Sequence, residues 1–333
     1  MRYAILPAPH ANVRYDAVQR ELVRAELSIL LGDAHPVESI HFAGTPFLCF
    51  DAPDEPFFRR LAYRLSAAYV VFEVRDGLLC PLENPNPAFL PDDVSGVLKY
   101  KGKTNEVFTA LLINLAVFSG DYANCFDQHL KILDPVCGRG TALFEALKMG
   151  YEASGVEIDK KDTDELNRYF KKYLEYHRYK HTVRQTSLTV GGKAGGTRFS
   201  YAFAPDAQTL KTQPGCLTVV QGNSMDCPAF FKNAQFHAIA ADLPYGVQHA
   251  GQDGKRPIPP ALLLEKLAPA WVRVLKPGGA VAVSYNVHTL PTERARAILA
   301  AQGLKVLQGG AYDCFAHWVE QAVTRDIAVA VLE

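Results

Sequence analysis

The pattern of apolar and polar positions changes character near residue 99. Before it, short extended runs surround one long helical stripe. Arg2–Leu6 reads as a strand, and Val18, Leu22, Ala25 and Ile29 recur at helical spacing through Tyr15–Leu31, which stops at Gly32. Phe47–Phe50 and Tyr69–Val74 read as strands around a helix near Phe57–Leu65. This predicts a small α+β unit over 1–98, closing in the turn-rich stretch Pro81–Pro91. From Tyr100 onward, buried apolar runs alternate with helical stripes. Helices are expected over Glu106–Phe118, Thr141–Met149, Asp162–Tyr176, Ala261–Val274 and Thr292–Ala301. Strands are expected over Lys131–Leu133, Ala153–Val156, Leu217–Val220, Ala238–Ala241, Ala280–Ser284, Leu304–Leu307 and Ile327–Leu332. Regular strand–helix alternation argues for a parallel, doubly wound sheet over 99–333. Residues His177 to Pro214 break the rhythm, and the pairs Gly191-Gly192 and Gly195-Gly196 mark an inserted hairpin or loop there.

Charge changes this picture only locally. Lys+Arg and Asp+Glu are both 35, so there is no global pull toward nucleic acid. Between Lys171 and Arg198, however, Lys171, Lys172, Arg178, Lys180, Arg184, Lys193 and Arg198 face a single acidic residue, Glu175. Tyr173, Tyr176 and Tyr179 interleave with them, so this strip is read either as a surface for RNA phosphates or as a solvated helix face and loop. The opening residues lack a signal-peptide core, and no apolar run approaches a membrane span. The seven cysteines form no Cys-x-x-Cys pair and no zinc spacing, so no metal site and a cytoplasmic, reduced setting are expected.

The chemistry concentrates at strand ends. Ile132-Leu133-Asp134-Pro135-Val136-Cys137-Gly138-Arg139-Gly140-Thr141 is a buried strand, a glycine turn and a helix start. Glycines let a backbone approach a ligand, and the helix N-terminus offers free N–H donors. A dinucleotide fingerprint is excluded, because the third spaced glycine is missing and an acid comes first. Asp134 would repel a pyrophosphate but can hold the ammonium of a methionine moiety, while Glu157, ending the next strand, can accept from both hydroxyls of a ribose. Asn223 follows the third strand and can meet an adenine edge. Asp242-Leu243-Pro244-Tyr245-Gly246 ends the fourth, where doubly wound sheets place ligands. There the Asp242 carboxylate and the Leu243 carbonyl can accept both N–H bonds of an exocyclic amine and pull its nitrogen toward a pyramid. Pro244 stiffens the turn, and Tyr245 offers a stacking face for a base.

Asp134-Pro135-x-Cys137-Gly138-x-Gly140-Thr141, followed by Glu145-Ala146, closely resembles the cofactor loop of class I methyltransferases that make N2-methylguanosine in tRNA behind a THUMP domain or a relative. The resemblance continues through Phe108–Ala116, Gly155-Val156-Glu157, Asp242–Gly246 and Val274-Leu275-Lys276-Pro277-Gly278-Gly279. Ala25–Leu31 is fainter in its likeness to the opening helix of that family. One position departs from it: Leu243 stands where the family has the first of two prolines, and a backbone carbonyl serves the same role. The resemblance implies a Rossmann-like class I methyltransferase fold, a seven-stranded, mostly parallel sheet, preceded by the small α+β unit. It implies S-adenosylmethionine as cofactor, bound by Asp134, Cys137, Gly138, Gly140, Thr141, Glu157, Ile158, Asn223, Ser224 and Asp242. It implies catalysis at Asp242, Leu243, Pro244 and Tyr245, with RNA, specifically tRNA, as partner. Adenine N6 as acceptor, and an RNA-binding protein without turnover, stay open as rival readings, as do a protein partner and self-association.

Overall fold

The computed structural model describes residues 1–10, 13–86, 90–98, 102–244, 252–253 and 256–333. The leading part holds β1 (Arg2–Pro7), α1 (Val13–Leu31), β2 (Glu38–Phe42), β3 (Thr45–Asp51), α2 (Pro56–Ala62), β4 (Ala68–Arg75) and β5 (Leu78–Pro81). Its five strands pair antiparallel in the order β2-β3-β1-β4-β5. Short β2 and β5 escape the sequence pattern because both are edge strands whose side chains are mostly exposed, which removes the apolar alternation that reveals a strand.

The remainder runs α3 (Glu106–Phe118), β6 (Lys131–Asp134), α4 (Thr141–Lys148), β7 (Glu152–Glu157), α5 (Lys160–Tyr176), β8 (Lys180–Val190), β9 (Lys193–Ala204), α6 (Ala207–Thr212), β10 (Gly215–Gly222), α7 (Cys227–Phe230), β11 (Phe236–Asp242), β12 (Gln252–Asp253), β13 (Arg256–Pro257), α8 (Pro260–Val274), β14 (Leu275–Asn286), α9 (Thr292–Ala300), β15 (Lys305–Leu307), β16 (His317–Glu320) and β17 (Val323–Val331). The large sheet has the order β15-β17-β14-β11-β6-β7-β10-β9-β8, with β16 on β17. From β14 to β10 every pairing is parallel, and β17 is antiparallel to β14. The order reverses between β6 and β11, so the crevice at their carboxyl ends is the topological switch point where such sheets bind ligands.

Alternation along the strands divides the core between the two faces. Ile132, Ala153, Leu217, Ala238, Ala240, Ala282 and Ile327 pack toward α3, α4 and α5, in one apolar cluster continuous with Leu27 and Phe50 of the leading sheet. Their neighbours Leu133, Val156, Val220, Ile239, Ala241, Val281 and Ala328 pack toward α8 and α9. Strands buried on both faces read as continuous apolar runs, as the sequence has them. The leading sheet is tied to α3 by a buried polar knot: the Asn114 amide donates to Glu26 and to the Arg64 carbonyl, both at 2.6 Å, and the Ser66 amide donates to Glu26 at 3.0 Å.

The inserted segment is a hairpin. Gly191 and Gly192 both have positive φ (56° and 77°), as a two-residue type I′ turn between β8 and β9 requires. β9 lies antiparallel on β10, with Gly196 opposite Gly222 and Phe203 opposite Gly215. Lys180 pairs with Ala204, so Arg178 and Lys180 sit at the amino end of the parallel strands, opposite the switch point. Arg198 turns inward, its guanidinium donating to the Phe230 carbonyl and lying 5.8 Å from the Phe231 ring centre. Tyr173 is buried, with its hydroxyl on Asp93 at 2.6 Å. The basic strip is therefore split rather than continuous, and only Lys193 reaches the tip next to the ligand end.

Candidate functional site

Three carboxylates meet at the carboxyl ends of β6, β7 and β11. Asp134 closes β6 and is buried, accepting from the Val136 amide at 3.1 Å. Burial pushes its carboxyl up to about 8, and the charges of Asp242 and Glu157 push the same way. Glu157 closes β7 and ties down the glycine loop: one oxygen accepts from the Gly138 amide at 2.9 Å and the other from the Asp159 amide at 2.7 Å. Burial raises it as well. No salt bridge to any of the three is found among the described residues, so the crevice asks for a cationic ligand.

The loop between β6 and α4 is built by glycine. Gly140, the residue before α4, has φ 87°, and a Cβ there would lie 2.7 Å from Leu166 Cδ1. In β7, a Cβ on Gly155 would lie 2.7 Å from both Cys137 Sγ and Leu143 Cδ1, so its absence lets the loop settle on the strand. Cys137 is buried in that contact, and burial, reinforced by Asp134, holds its thiol far above the usual range. It packs and does not attack. Thr141 is buried in the first turn of α4, while Ile158 is 55% exposed beside Glu157. The Arg139 side chain points away to Asp162 (2.8 Å) and Glu165 (2.6 Å).

Past β10, Asn223 caps the following turn, its side-chain oxygen accepting from the Met225 amide at 3.0 Å. Ser224, expected at the cofactor, is buried with its hydroxyl accepting from the Trp271 indole at 3.1 Å. That bond commits its hydroxyl to the α8 side of the sheet. The Asn286 side chain, at the end of β14, is likewise committed: its amide donates to the Ala322 carbonyl and its oxygen accepts from the His288 and Thr324 amides. Trp271 is fully buried, whereas Trp318 is 55% exposed.

Asp242 ends β11. Its Oδ2 accepts from the Thr104 hydroxyl at 2.5 Å, and its Oδ1 is buried with no hydrogen-bond partner among the described residues. Burial raises this carboxyl, while the Arg325 charge and the hydroxyls of Thr104 and Ser284 hold it down. Leu243 is buried, its amide donating to the Ser284 carbonyl at 3.0 Å, so the turn leaves the sheet in a fixed direction at Pro244. Tyr245 lies outside the described residues. Ahead of α3, Lys103 is spent on Glu106 at 2.5 Å and on the Ser95 carbonyl.

The Asp242 end of the sheet has a wall that the sequence did not single out. Register places Asp242 beside Ser284, Ser284 beside Ile327, Asn286 beside Arg325, and Arg325 beside His317. Because side chains alternate with period two, Asp242, Ser284, Arg325 and His317 share the face covered by α3. Arg325 is buried, its guanidinium 4.3 Å from the Phe108 ring centre, and the His317 ring is 5.4 Å from Phe108 and 6.3 Å from Tyr15 of α1. The signal available was two polar residues interrupting apolar C-terminal strands at positions that pair.

No family model matches this chain, and no curated protein does. Among solved structures it is similar to a putative RNA methyltransferase from Pyrococcus horikoshii, at 16% identity over 72% of this chain and 92% of that one, TM-score 0.41. It is similar also to magnesium protoporphyrin IX methyltransferase from Synechocystis with bound SAM (12% identity, 72% and 90% covered, TM-score 0.40). A third is a TehB-like SAM-dependent methyltransferase from Corynebacterium glutamicum (14%, 62% and 81%, TM-score 0.34). Likeness at this level assigns no substrate. The strand order β15-β17-β14-β11-β6-β7-β10, with β17 alone reversed among these seven, is the decisive feature. The chain has the class I methyltransferase fold.

Proposed function

We propose that this protein is an S-adenosylmethionine-dependent methyltransferase acting on an exocyclic amine of a nucleobase, guanine N2 in tRNA. The observation that carries the reading is the Asp242 carboxylate at the switch point, with Oδ1 buried and unpartnered among the described residues, beside the acidic crevice of Asp134 and Glu157. The residues fit the cofactor. It carries an ammonium and a sulfonium, both cationic, and the crevice holds three acids; the backbone cradle at Gly138 and Gly140 admits close approach. Asp134 would hold the ammonium and Glu157 the ribose hydroxyls, with Cys137, Thr141, Ile158 and Asn223 as the lining. When bound, S-adenosylmethionine supplies an electrophilic methyl group.

The chain's own residues do the rest. Asp242 Oδ1 and the Leu243 carbonyl accept the two N–H bonds of the amine and aim its lone pair out of the ring plane. Thr104 and Ser284 fix the carboxylate, and the charge of Asp242 opposes the positive charge that grows on nitrogen as the carbon–nitrogen bond forms. Residues 1–98 would form a unit of their own beside the catalytic part at 99–333, and cytoplasmic RNA is the matching substrate.

The experiment is transfer of labelled methyl from S-adenosylmethionine to unmodified tRNA, followed by nucleoside mass spectrometry. N2-methylguanosine is expected. N6-methyladenosine would replace guanine by adenine within the same mechanism, and absence of cofactor binding to folded protein would sink the assignment.

A further inference from the structure

The described residues that join the leading unit to α3 are pinned to both helices behind the glycine loop. Asp93 accepts from the Tyr173 hydroxyl at 2.6 Å and the Val94 carbonyl from the Tyr169 hydroxyl at 2.5 Å, both on α5. Ser95 is 2% exposed and donates its hydroxyl to Glu145 of α4. The Ser95 carbonyl accepts from Lys103, whose ammonium also meets Glu106 at 2.5 Å. Thr104 comes next. It is followed by Asn105, which caps α3 by accepting from the Val107 amide at 2.8 Å and the Phe108 amide at 3.2 Å. An anchored lysine before it and a capped helix after it set the direction of the Thr104 side chain, and its hydroxyl donates to Asp242 Oδ2 at 2.5 Å.

A hydroxyl has one hydrogen, and this one is spent on Oδ2. Oδ1 of the same carboxylate is buried without a partner among the described residues, and an acceptor left so is costly unless a ligand supplies the donor. The two oxygens are therefore unequal, and a segment outside the sheet makes them so. We infer that this connector is part of the acceptor site, with Thr104 as a positioning residue that holds Asp242 Oδ2 and leaves Oδ1 to the amine. This rests on the methyltransferase reading above. Lys103 and Ser95 act through Thr104 and tie it to α4, the helix that follows the glycine loop.

A positioning role has a signature in pH. Burial raises the Asp242 carboxyl, while Arg325 of β17 and then the Thr104 and Ser284 hydroxyls lower it; Asp134 of β6 faces it too, with Glu157 of β7 beyond. Loss of the Thr104 donor disfavours the ionised form, so the pH at which transfer switches on should rise.

The test uses the full chain, S-adenosylmethionine and unmodified tRNA in single turnover. Thr104→Val keeps the branched shape and removes the donor. It should lower the rate about 10- to 150-fold at neutral pH and leave cofactor affinity and half-saturating tRNA within about threefold. Its rising pH limb should move up. Thr104→Ser restores the donor and should recover most of the rate and return the limb. A second measurement needs no turnover: the Asp242 carboxyl is titrated by carbon NMR of aspartate-labelled protein, assigned with Asp242→Asn, and Thr104→Val should move it up. An unchanged titration overturns the inference, as does an unchanged rate and limb with the thermal midpoint intact. A slower Thr104→Val whose limb stays in place, with a lowered midpoint, marks a structural role alone and overturns it as well. Wild-type protein that transfers no methyl, while the titration still moves in Thr104→Val, would overturn the functional reading and leave the Thr104 contact standing.

Discussion

Removing the Asp242 carboxylate separates the acceptor site from the cofactor site. In Asp242→Ala the amine loses its acceptor Oδ1, the Thr104 hydroxyl loses its 2.5 Å partner, and the buried Arg325 loses a countercharge. A hydrogen bond to a charged group is worth about 1.5–3 kcal/mol. The lost charge opposite a centre becoming positive resembles loss of one oxyanion donor, about 10²–10³ in rate. Together these put methyl transfer at least about 10³-fold below wild type. Asp242→Asn keeps an acceptor oxygen and loses the charge, so a loss of about 10²–10³ is expected there. Cofactor affinity should stay nearly intact: one acid of the crevice is lost, while easier ionisation of Asp134, which the Asp242 charge raises, offsets it. Single-turnover transfer of labelled methyl to tRNA, with calorimetry of the cofactor alone, measures both. A single-turnover rate within about threefold of wild type for Asp242→Ala would refute the placement of the acceptor site.

Three other outcomes follow from buried groups and backbone. Asp134 sits near 8, so at pH 7 it is largely protonated in the free protein; binding an ammonium ionises it, and calorimetry in buffers of different ionisation enthalpy should show release of close to one proton. Affinity should then rise roughly tenfold per unit from pH 6 to 7.5, and a pH-independent affinity would contradict the ammonium contact. Glu26 is raised by burial from 4.5 to about 7, so the native state holds a proton that the unfolded chain releases. The stability this gives is full below about 4.5 and lost as pH rises through 7, by up to roughly 3 kcal/mol. Glu26→Gln cannot ionise and should flatten that fall in urea unfolding between pH 5 and 8; parallel curves would count against it. Gly140→Ala meets both φ 87° and Leu166 Cδ1 at 2.7 Å. It should cost about 1–3 kcal/mol, read as a thermal midpoint several degrees lower.

The large sheet was legible because its central strands are buried on both faces and its helices carry one apolar stripe. Thus α3 begins and ends where helical spacing placed it, and β6, β7 and β11 differ from expectation only at their ends. That Asp134, Glu157 and Asp242 meet at one end of the sheet was legible because each ends such a strand. The direction of the Ser224 hydroxyl was not, since spacing along a chain does not say which way a hydroxyl turns once an indole lies within reach. The basic residues of the hairpin were counted as one strip, yet an antiparallel pair spreads its residues along the full length of β10. His317 and Arg325 stayed hidden because β16 is short and irregular, and a strand pairing across a turn brings its side chains to the site through register alone.

The knot of Glu26, Asn114 and the turn at Arg64–Ser66 bears on how this gene can change. Asn114 lies in the same helix as Phe108, on which Arg325 packs, so the leading sheet and the Asp242 end of the large sheet share one rigid element. A foreign leader spliced in place of residues 1–98 would have to present a carboxylate and a carbonyl at the same two points, or leave a buried amide unmatched. Such an exchange would therefore cost about 1–3 kcal/mol for each buried group left unpaired, and changes at Glu26 and Asn114 should be inherited as a pair.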